Sequence, residues 1–478
     1  MRCASGQRIV SYAVYGSHLS AAPQYVKRGI VKMEKKKLPF SEKLGYVGAS
    51  VAMSVVLVFV PNFINIYYTD VVGLSASTVG FIILICKVTD GISDIIMGMI
   101  IDRTNTKWGK ARPWILAGGI GSAVSLYLLF NAPASFSQTG LIAFCVATYF
   151  LVCPFFGTII GVAQTAIIPK ISSDEKQRTI LGLIHSFSLI VVTILVAMAT
   201  PILISMMGES RETYQLISAG YAILTIVSAV MAFVLVREHT GKNSEDSTGK
   251  TSIRETFKLL GKNKHFIFLA LGSIFYNTSL VSGATTYYAK YILGDVGYVA
   301  LFTLCTGGSY FLLFFSLQFR KRFSIRSMLV VGFIISAVGC GIIWFAYTNI
   351  VLLGIGTVLR GVGILPLLAY SAPLTGEISD YTLYQTRKNM DGVIFSGFSM
   401  GGKIGTGLGA ALVGWLIGAF HYDGMAAVQT DSALLAIRLS NSVLPLIFCI
   451  LSAVCFSFIT VEKEKEPVQK ALKERGLR

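Results

Sequence analysis

The sequence predicts an all-α membrane protein with about twelve transmembrane helices in two pseudo-symmetric six-helix halves. Three observations predict it. Long apolar runs recur along the chain, among them 51–63, 79–86, 180–206 and 442–460. Lys and Arg concentrate in every second segment between such runs. One polar, basic stretch, Arg237 to Lys264, divides the chain near its middle.

The apolar runs come first. Of 478 residues, 54% are hydrophobic and 14% charged, with a mean hydropathy of +0.67. A soluble domain of this length needs far more polar surface. Runs of ~20 residues match the hydrocarbon thickness of a bilayer. Lipid offers backbone groups no partner, so the runs form helices. The net charge of +17 raises nucleic acid as a partner. The bases sit in short segments between apolar runs and make no single patch, which excludes it. Of the eight cysteines, all but Cys3 lie in apolar runs and none forms a CxxC pair. That argues against a disulfide framework or zinc site and for small packing residues. Residues 1–32 lack the apolar core of a signal peptide. Met33-Glu34-Lys35-Lys36-Lys37 reads as a cytoplasmic start, and 1–32 as an extension from an upstream start.

The spans fall near 45–69, 76–101, 113–131, 140–168, 180–207 and 214–236, then 266–291, 297–318, 327–348, 350–375, 391–419 and 437–460. The expected organisation is a cytoplasmic segment 1–42, a first half 43–236, a cytoplasmic linker 237–264, a second half 265–460 and a charged tail 461–478. Segments 27–43, 103–112, 170–178, 237–264, 320–326, 387–388 and 463–478 are rich in Lys and Arg. Of the alternate loops, those near 70–76, 132–139, 292–296 and 420–435 carry none, and 208–213 only Arg211. The positive-inside rule puts both termini in the cytoplasm, and an even span count requires the same. The expected location is the cell (inner or plasma) membrane. Six spans, a basic linker and six spans is the layout of a major facilitator fold. The loop Asp102–Lys110 echoes Arg320–Arg326 at the same place in the second half.

Ionisable groups inside a span are costly and mark function. The second span carries Lys87, Asp90 and Asp94, with Ser93 beside them. Asp90 and Asp94 are spaced i, i+4 and share one helix face. Two carboxylates so close repel unless a cation lies between them. Na⁺ takes oxygen ligands of this kind, and Li⁺ or H⁺ are alternatives. The competing reading pairs Lys87 with one acid, which leaves the other acid over. Lys403 lies in the eleventh span among Gly401, Gly405 and Gly409, a spacing that lets helices approach closely. A buried lysine needs a carboxylate, and Asp90 or Asp94 is the natural partner; the alternative is a lysine that snorkels to an interface. Gly397 with Gly402-Lys403 nearly matches a P-loop, but Ile404 stands where Ser or Thr is required. Arg360 sits mid-span near Pro366 and Pro373, and either faces the cavity or binds backbone carbonyls. His185 reads as a packing residue. No clustered His, Ser and Asp supports an enzyme.

At this point the chain is similar to a known family. Asp102-Arg103-Thr104-Asn105-Thr106-Lys107-Trp108-Gly109-Lys110-Ala111-Arg112-Pro113-Trp114 resembles the signature of the glycoside–pentoside–hexuronide:cation symporter family (melibiose permease-like). So do Tyr67–Leu74 and Asp90-Gly91-Ile92-Ser93-Asp94. Gly376-Glu377-Ile378-Ser379-Asp380-Tyr381 resembles its helix-ten terminus, and Lys403 its helix-eleven lysine. The resemblance implies cation-coupled symport without a cofactor. It implies a cation site of Asp90, Asp94, Ser93 and Thr158, with Lys403 beside it and Lys87 and Arg360 in the charge network. The family's galactoside-binding acids fall at Ser54 and Gly161, its nearby tryptophan at Thr165 and its arginine at or near Ser186. Carboxylates and aromatic faces hold sugars, so a galactoside does not fit. Either another sugar binds, with Asn62, Tyr276 and Asn277 as further pocket candidates, or the cargo is less polar, such as a steroid. Asp102, Arg103, Lys107 and Arg112 are expected to latch the cytoplasmic side against Glu377 and Asp380. The expected partners are a small-molecule substrate and the lipid bilayer, with the chain a monomer.

Overall fold

The computed structural model describes residues 38–172, 174–239, 261, 263–281, 283–312, 322–387, 390–426 and 428–474. The expectations for residues 1–32 and for most of the linker lie outside the described residues. From Phe40 onward the chain forms one unit built of helices. In order these are α1 (Phe40–Ile66, continued by a π turn Tyr67–Val71), α2 (Ala76–Arg103), α3 (Arg112–Leu129), α4 (Gln138–Ala166), α5 (Glu175–Met207) and α6 (Arg211–Leu235). Then follow α7 (Lys264–Tyr291), α8 (Tyr298–Leu312), α9 (Ile325–Ala346), α10 (Ile350–Thr386), α11 (Asp391–Ala419), α12 (Val443–Ser457) and α13 (Lys465–Glu474). Among the described residues, nine stretches are long and apolar enough to cross a membrane. The shorter or more charged α2, α3 and α8 lie between them.

The helices are apolar on more than one side, as lipid requires. Phe81, Leu195, Val227 and Phe345 point outward, while Phe59, Phe63, Phe130 and Tyr214 fill the core of the first half. In the second half Phe333 and Phe456 stack with centroids 5.5 Å apart. Small residues set how closely α11 sits. A Cβ on Gly401 would lie 3.0 Å from the Ala270 carbonyl, and one on Gly409 2.7 Å from that of Thr278, both in α7. A Cβ on Gly407 would lie 2.7 Å from Lys87 Cβ, on α2 of the other half. The glycine-rich stretch therefore serves two neighbours at once.

The two halves repeat a detail that the loop echo only hints at. Just beyond α6, the Glu238 carboxylate accepts from the backbone N–H groups of Lys110 (2.9 Å), Ala111 (2.8 Å) and Arg112 (3.1 Å) at the start of α3. Just beyond α12, the Glu462 carboxylate accepts from those of Ile325 and Arg326 (both 3.0 Å) at the start of α9. Each acid satisfies orphan donors and meets the positive end of a helix dipole.

Two helices differ from expectation. Hydropathy ends the tenth span near 375, but α10 continues to Thr386 and stops where Arg387 turns left-handed at φ 56°. Gly376–Tyr381 therefore lies inside α10 rather than at its terminus. The seventh span reads as one run. Instead α7 breaks between Ser279 and Ala284, with Val281 at φ 42° and Gly283 at φ 86°. No proline marks this break in the sequence.

Candidate functional site

The expected cation-site residues meet where α2, α4 and α11 touch. In α4 the ladder is interrupted by a π turn, Leu151–Gly157, around Pro154, which lacks an N–H. Thr158 follows the turn directly, and its Oγ1 donates to Asp90 Oδ1 at 2.9 Å. Ser93 Oγ lies 3.2 Å from Thr158 Oγ1. From the other half, Lys403 Nζ reaches Asp90 Oδ1 at 3.0 Å, the Asp90 carbonyl at 3.1 Å and Asp94 Oδ2 at 2.6 Å. Lys87 Nζ lies 3.5 Å from Asp90 Oδ2. The structure thus sets two lysines against the two acids, so the acid left over by a Lys87 pair alone has a partner. Asp90 is buried, whereas the Asp94 side chain is 33% exposed. A buried carboxylate is costly unless charge and hydrogen bonds meet it on several sides, as they do here.

The substrate-pocket candidates do not converge in the same way. Ser54 Oγ donates to the Ser50 carbonyl at 2.7 Å, and Thr165 Oγ1 to carbonyls of its own helix. A Cβ on Gly161 would sit 3.2 Å from Met53 Cε, so a thioether covers that position. Asn62 Nδ2 donates to the Val58 carbonyl, and Asn277 Nδ2 to that of Ser273. Tyr276 packs against Phe333 at 5.9 Å. A polar cluster that sequence reasoning missed lies between α1, α4 and α5. Gln164 Nε2 is 2.8 Å from Tyr46 Oη, 3.2 Å from Ser50 Oγ and 2.9 Å from His185 Nδ1. Its signal was a lone amide in an apolar run, one residue before Thr165.

Arg360 takes the carbonyl role. Its Nη2 donates to the carbonyls of Ser279 (2.9 Å) and Leu280 (3.4 Å), beside the break in α7. On the face bearing the basic loops, Arg103 and Lys107 are exposed, and the Asp102 side chain lies outside what is described. Arg112 donates to the Phe233 carbonyl at 2.5 Å, within its own half. Glu377 accepts from Lys465 of α13 at 2.7 Å, and its Oε2 has no hydrogen-bond partner among the described residues. Asp380 lines a small cavity beside this pair.

At the opposite face a second charge cluster joins the halves, and sequence reasoning did not find it. Asp70, at the end of α1, accepts from Lys290 Nζ (2.5 Å), Tyr291 Oη (2.7 Å), Tyr422 Oη and its neighbour Thr69 (2.6 Å). Lys290 also pairs with Glu209 at 2.6 Å. Burial pushes the Glu209 carboxyl above its ordinary range, against the pull of Lys290. Lys290 looked like the end of an apolar span, and its partners lie far away in sequence.

A family model described as MFS/sugar transport protein matches residues 45–463. The chain is 26% identical over 442 residues to an isoprimeverose transporter of Lactiplantibacillus pentosus, covering 90% of this chain and 91% of that one. It is 26% identical over 447 residues to the inner membrane symporter YicJ of Escherichia coli (strain K12), covering 88% and 92%. Among solved structures, a D-xylose–proton symporter superposes with a TM-score of 0.65 at 13% identity, covering 88% of this chain and 97% of that one. This protein is a membrane transporter and not an enzyme, and it belongs to the glycoside–pentoside–hexuronide:cation symporter family of the major facilitator superfamily.

Proposed function

We propose that this protein carries a sugar or glycoside together with a cation, Na⁺ first, by alternating access between two six-span halves joined by the linker 237–264. Both termini face the cytoplasm in this reading. The single observation that carries it is the Lys403 ammonium seated between Asp90 and Asp94. There a charge from one half neutralises the acids of the other. A cation arriving at Asp90, Asp94, Ser93 and Thr158 replaces the lysine and frees it. Cation binding thereby changes what holds the halves together, which is the coupling that symport needs. The names of the relatives support sugar-like cargo and a cation partner.

Asp94→Cys tests the reading. Uptake by proteoliposomes is expected to lose its stimulation by Na⁺, while the purified variant keeps its helical content. Undiminished Na⁺ stimulation in that variant overturns the cation site.

A less polar cargo, such as a steroid, has its own support. The Ser54 and Thr165 hydroxyls are turned to their own helices, and Met53 covers Gly161. Thermal stability against a panel of sugars, glycosides and steroids, in Na⁺ or K⁺, separates the two. Ligands that bind the native state raise the unfolding temperature by mass action. Stabilisation by a sugar only with Na⁺ supports the sugar reading, and stabilisation by steroids alone replaces it.

A further inference from the structure

On the face away from the basic loops, Arg211 is committed to the Ala132 carbonyl, and Lys290 to Asp70 and Glu209. Arg438, in the short helix Asp431–Asn441 before α12, has no such acid. Among the described residues no carboxylate pairs with it, and its hydrogen bond runs from Nη2 to the Trp344 carbonyl at 3.2 Å. Its guanidinium lies over two rings instead, 4.6 Å from the centroid of Trp344 and 4.5 Å from that of Tyr347. The second ring is held in place. Buried Tyr288 of α7 donates to the Tyr347 carbonyl, and Tyr347 takes φ 49°, uncommon for a bulky side chain. The depth of this clamp follows from α9, whose start meets Glu462 on the basic-loop face. Trp344 stands about 28 Å along that helix from Ile325 by the rise of an α-helix, close to the hydrocarbon thickness of a bilayer. The clamp therefore lies at headgroup level, where tryptophan and tyrosine belong. Its flanks are apolar and open: Phe345, beside Trp344, is 84% exposed, and Leu435, one turn before Arg438, is exposed as well.

We propose that Arg438, clamped by Trp344 and Tyr347, binds the phosphate of an anionic phospholipid in the leaflet on this face. A guanidinium presents a planar fork that matches phosphate, and it is more weakly hydrated than an ammonium. The two rings fix it at the depth where lipid phosphates lie, and Phe345 and Leu435 offer the acyl chains a surface. A charge that no protein acid compensates favours a headgroup of net negative charge. A zwitterionic headgroup brings an ammonium that Arg438 repels. The site shares no residue with the cation site or the pocket candidates.

The test uses the full-length chain purified in detergent. Phosphatidylglycerol is titrated in, and native mass spectrometry reads the affinity for the first bound lipid. Arg438→Gln is expected to weaken that affinity at least about tenfold, the scale of lost hydrogen bonds to a charged group. Leu435→Glu leaves Arg438 in place but sets a carboxylate one turn away, where it can take the guanidinium from the lipid. It is expected to weaken binding comparably, while Leu435→Gln, which adds no charge, leaves it nearly unchanged. Unchanged affinity in Arg438→Gln or in Leu435→Glu overturns the site, so either variant decides if the other fails to fold. Phosphatidylcholine with the same acyl chains is expected to bind more weakly than phosphatidylglycerol, and equal binding overturns the preference for an anionic lipid. Displacement of the bound lipid by millimolar inorganic phosphate would assign the guanidinium to free phosphate and overturn the lipid. The readout needs neither cation nor cargo, so it stands or falls apart from the symport reading.

Discussion

In the proposed mechanism Lys403 is the residue on which coupling turns, because its ammonium lies against both acids proposed to hold the cation. If it competes with the coupling ion, its removal should help that ion bind. Lys403→Met is expected to tighten Na⁺ binding by about tenfold or more, since one opposing charge within 4 Å is lost in a medium of intermediate dielectric. The measurement is the Na⁺ concentration needed to raise the unfolding temperature of the purified variant. A weakened Na⁺ response would show that Lys403 assists the ion and does not oppose it. Asp90, Asp94, Ser93 and Lys403 were legible in the sequence because a charge in an apolar run stands out and local spacing fixes a helix face. Thr158 came only through resemblance, as a threonine in an apolar span carries no signal of its own. Asp70 and Lys290 were illegible for a different reason. Each lies at the end of a span, where charges are ordinary, and their pairing joins positions 220 residues apart.

Single helices show what hydropathy hides. The π turn in α4 aims Thr158 at Asp90, and Pro154 was its one visible sign. The break in α7 had no sign, since Leu280 and Val281 are as apolar as their neighbours. Arg360 meets it, its guanidinium donating to the carbonyls of Ser279 and Leu280. Leaving such carbonyls unpaired costs about 1–3 kcal/mol. Arg360→Met is therefore expected to lower the unfolding temperature and to speed amide exchange over 276–291. Unaltered exchange there would assign the arginine to the cavity instead. The length of α10 is hidden from hydropathy because its last turns are polar, and hydropathy cannot tell a polar helix end from a loop.

At the scale of the whole molecule, the two-half plan was the most legible feature, since it depends on sums over many residues. Span count, loop charge and midpoint linker all point the same way, and local errors at helix ends do not disturb them. What holds the halves closed on either face was not legible, because those contacts form only after the spans are assembled. The paired acids Glu238 and Glu462 carry this plan one step further. Each fastens the last span of its half to the third span of the same half. The protein is therefore built from two self-clasped parcels. A gene severed between the codons for His239 and Lys264 should still yield, from two co-expressed fragments, a pair that finds itself in the bilayer and copurifies.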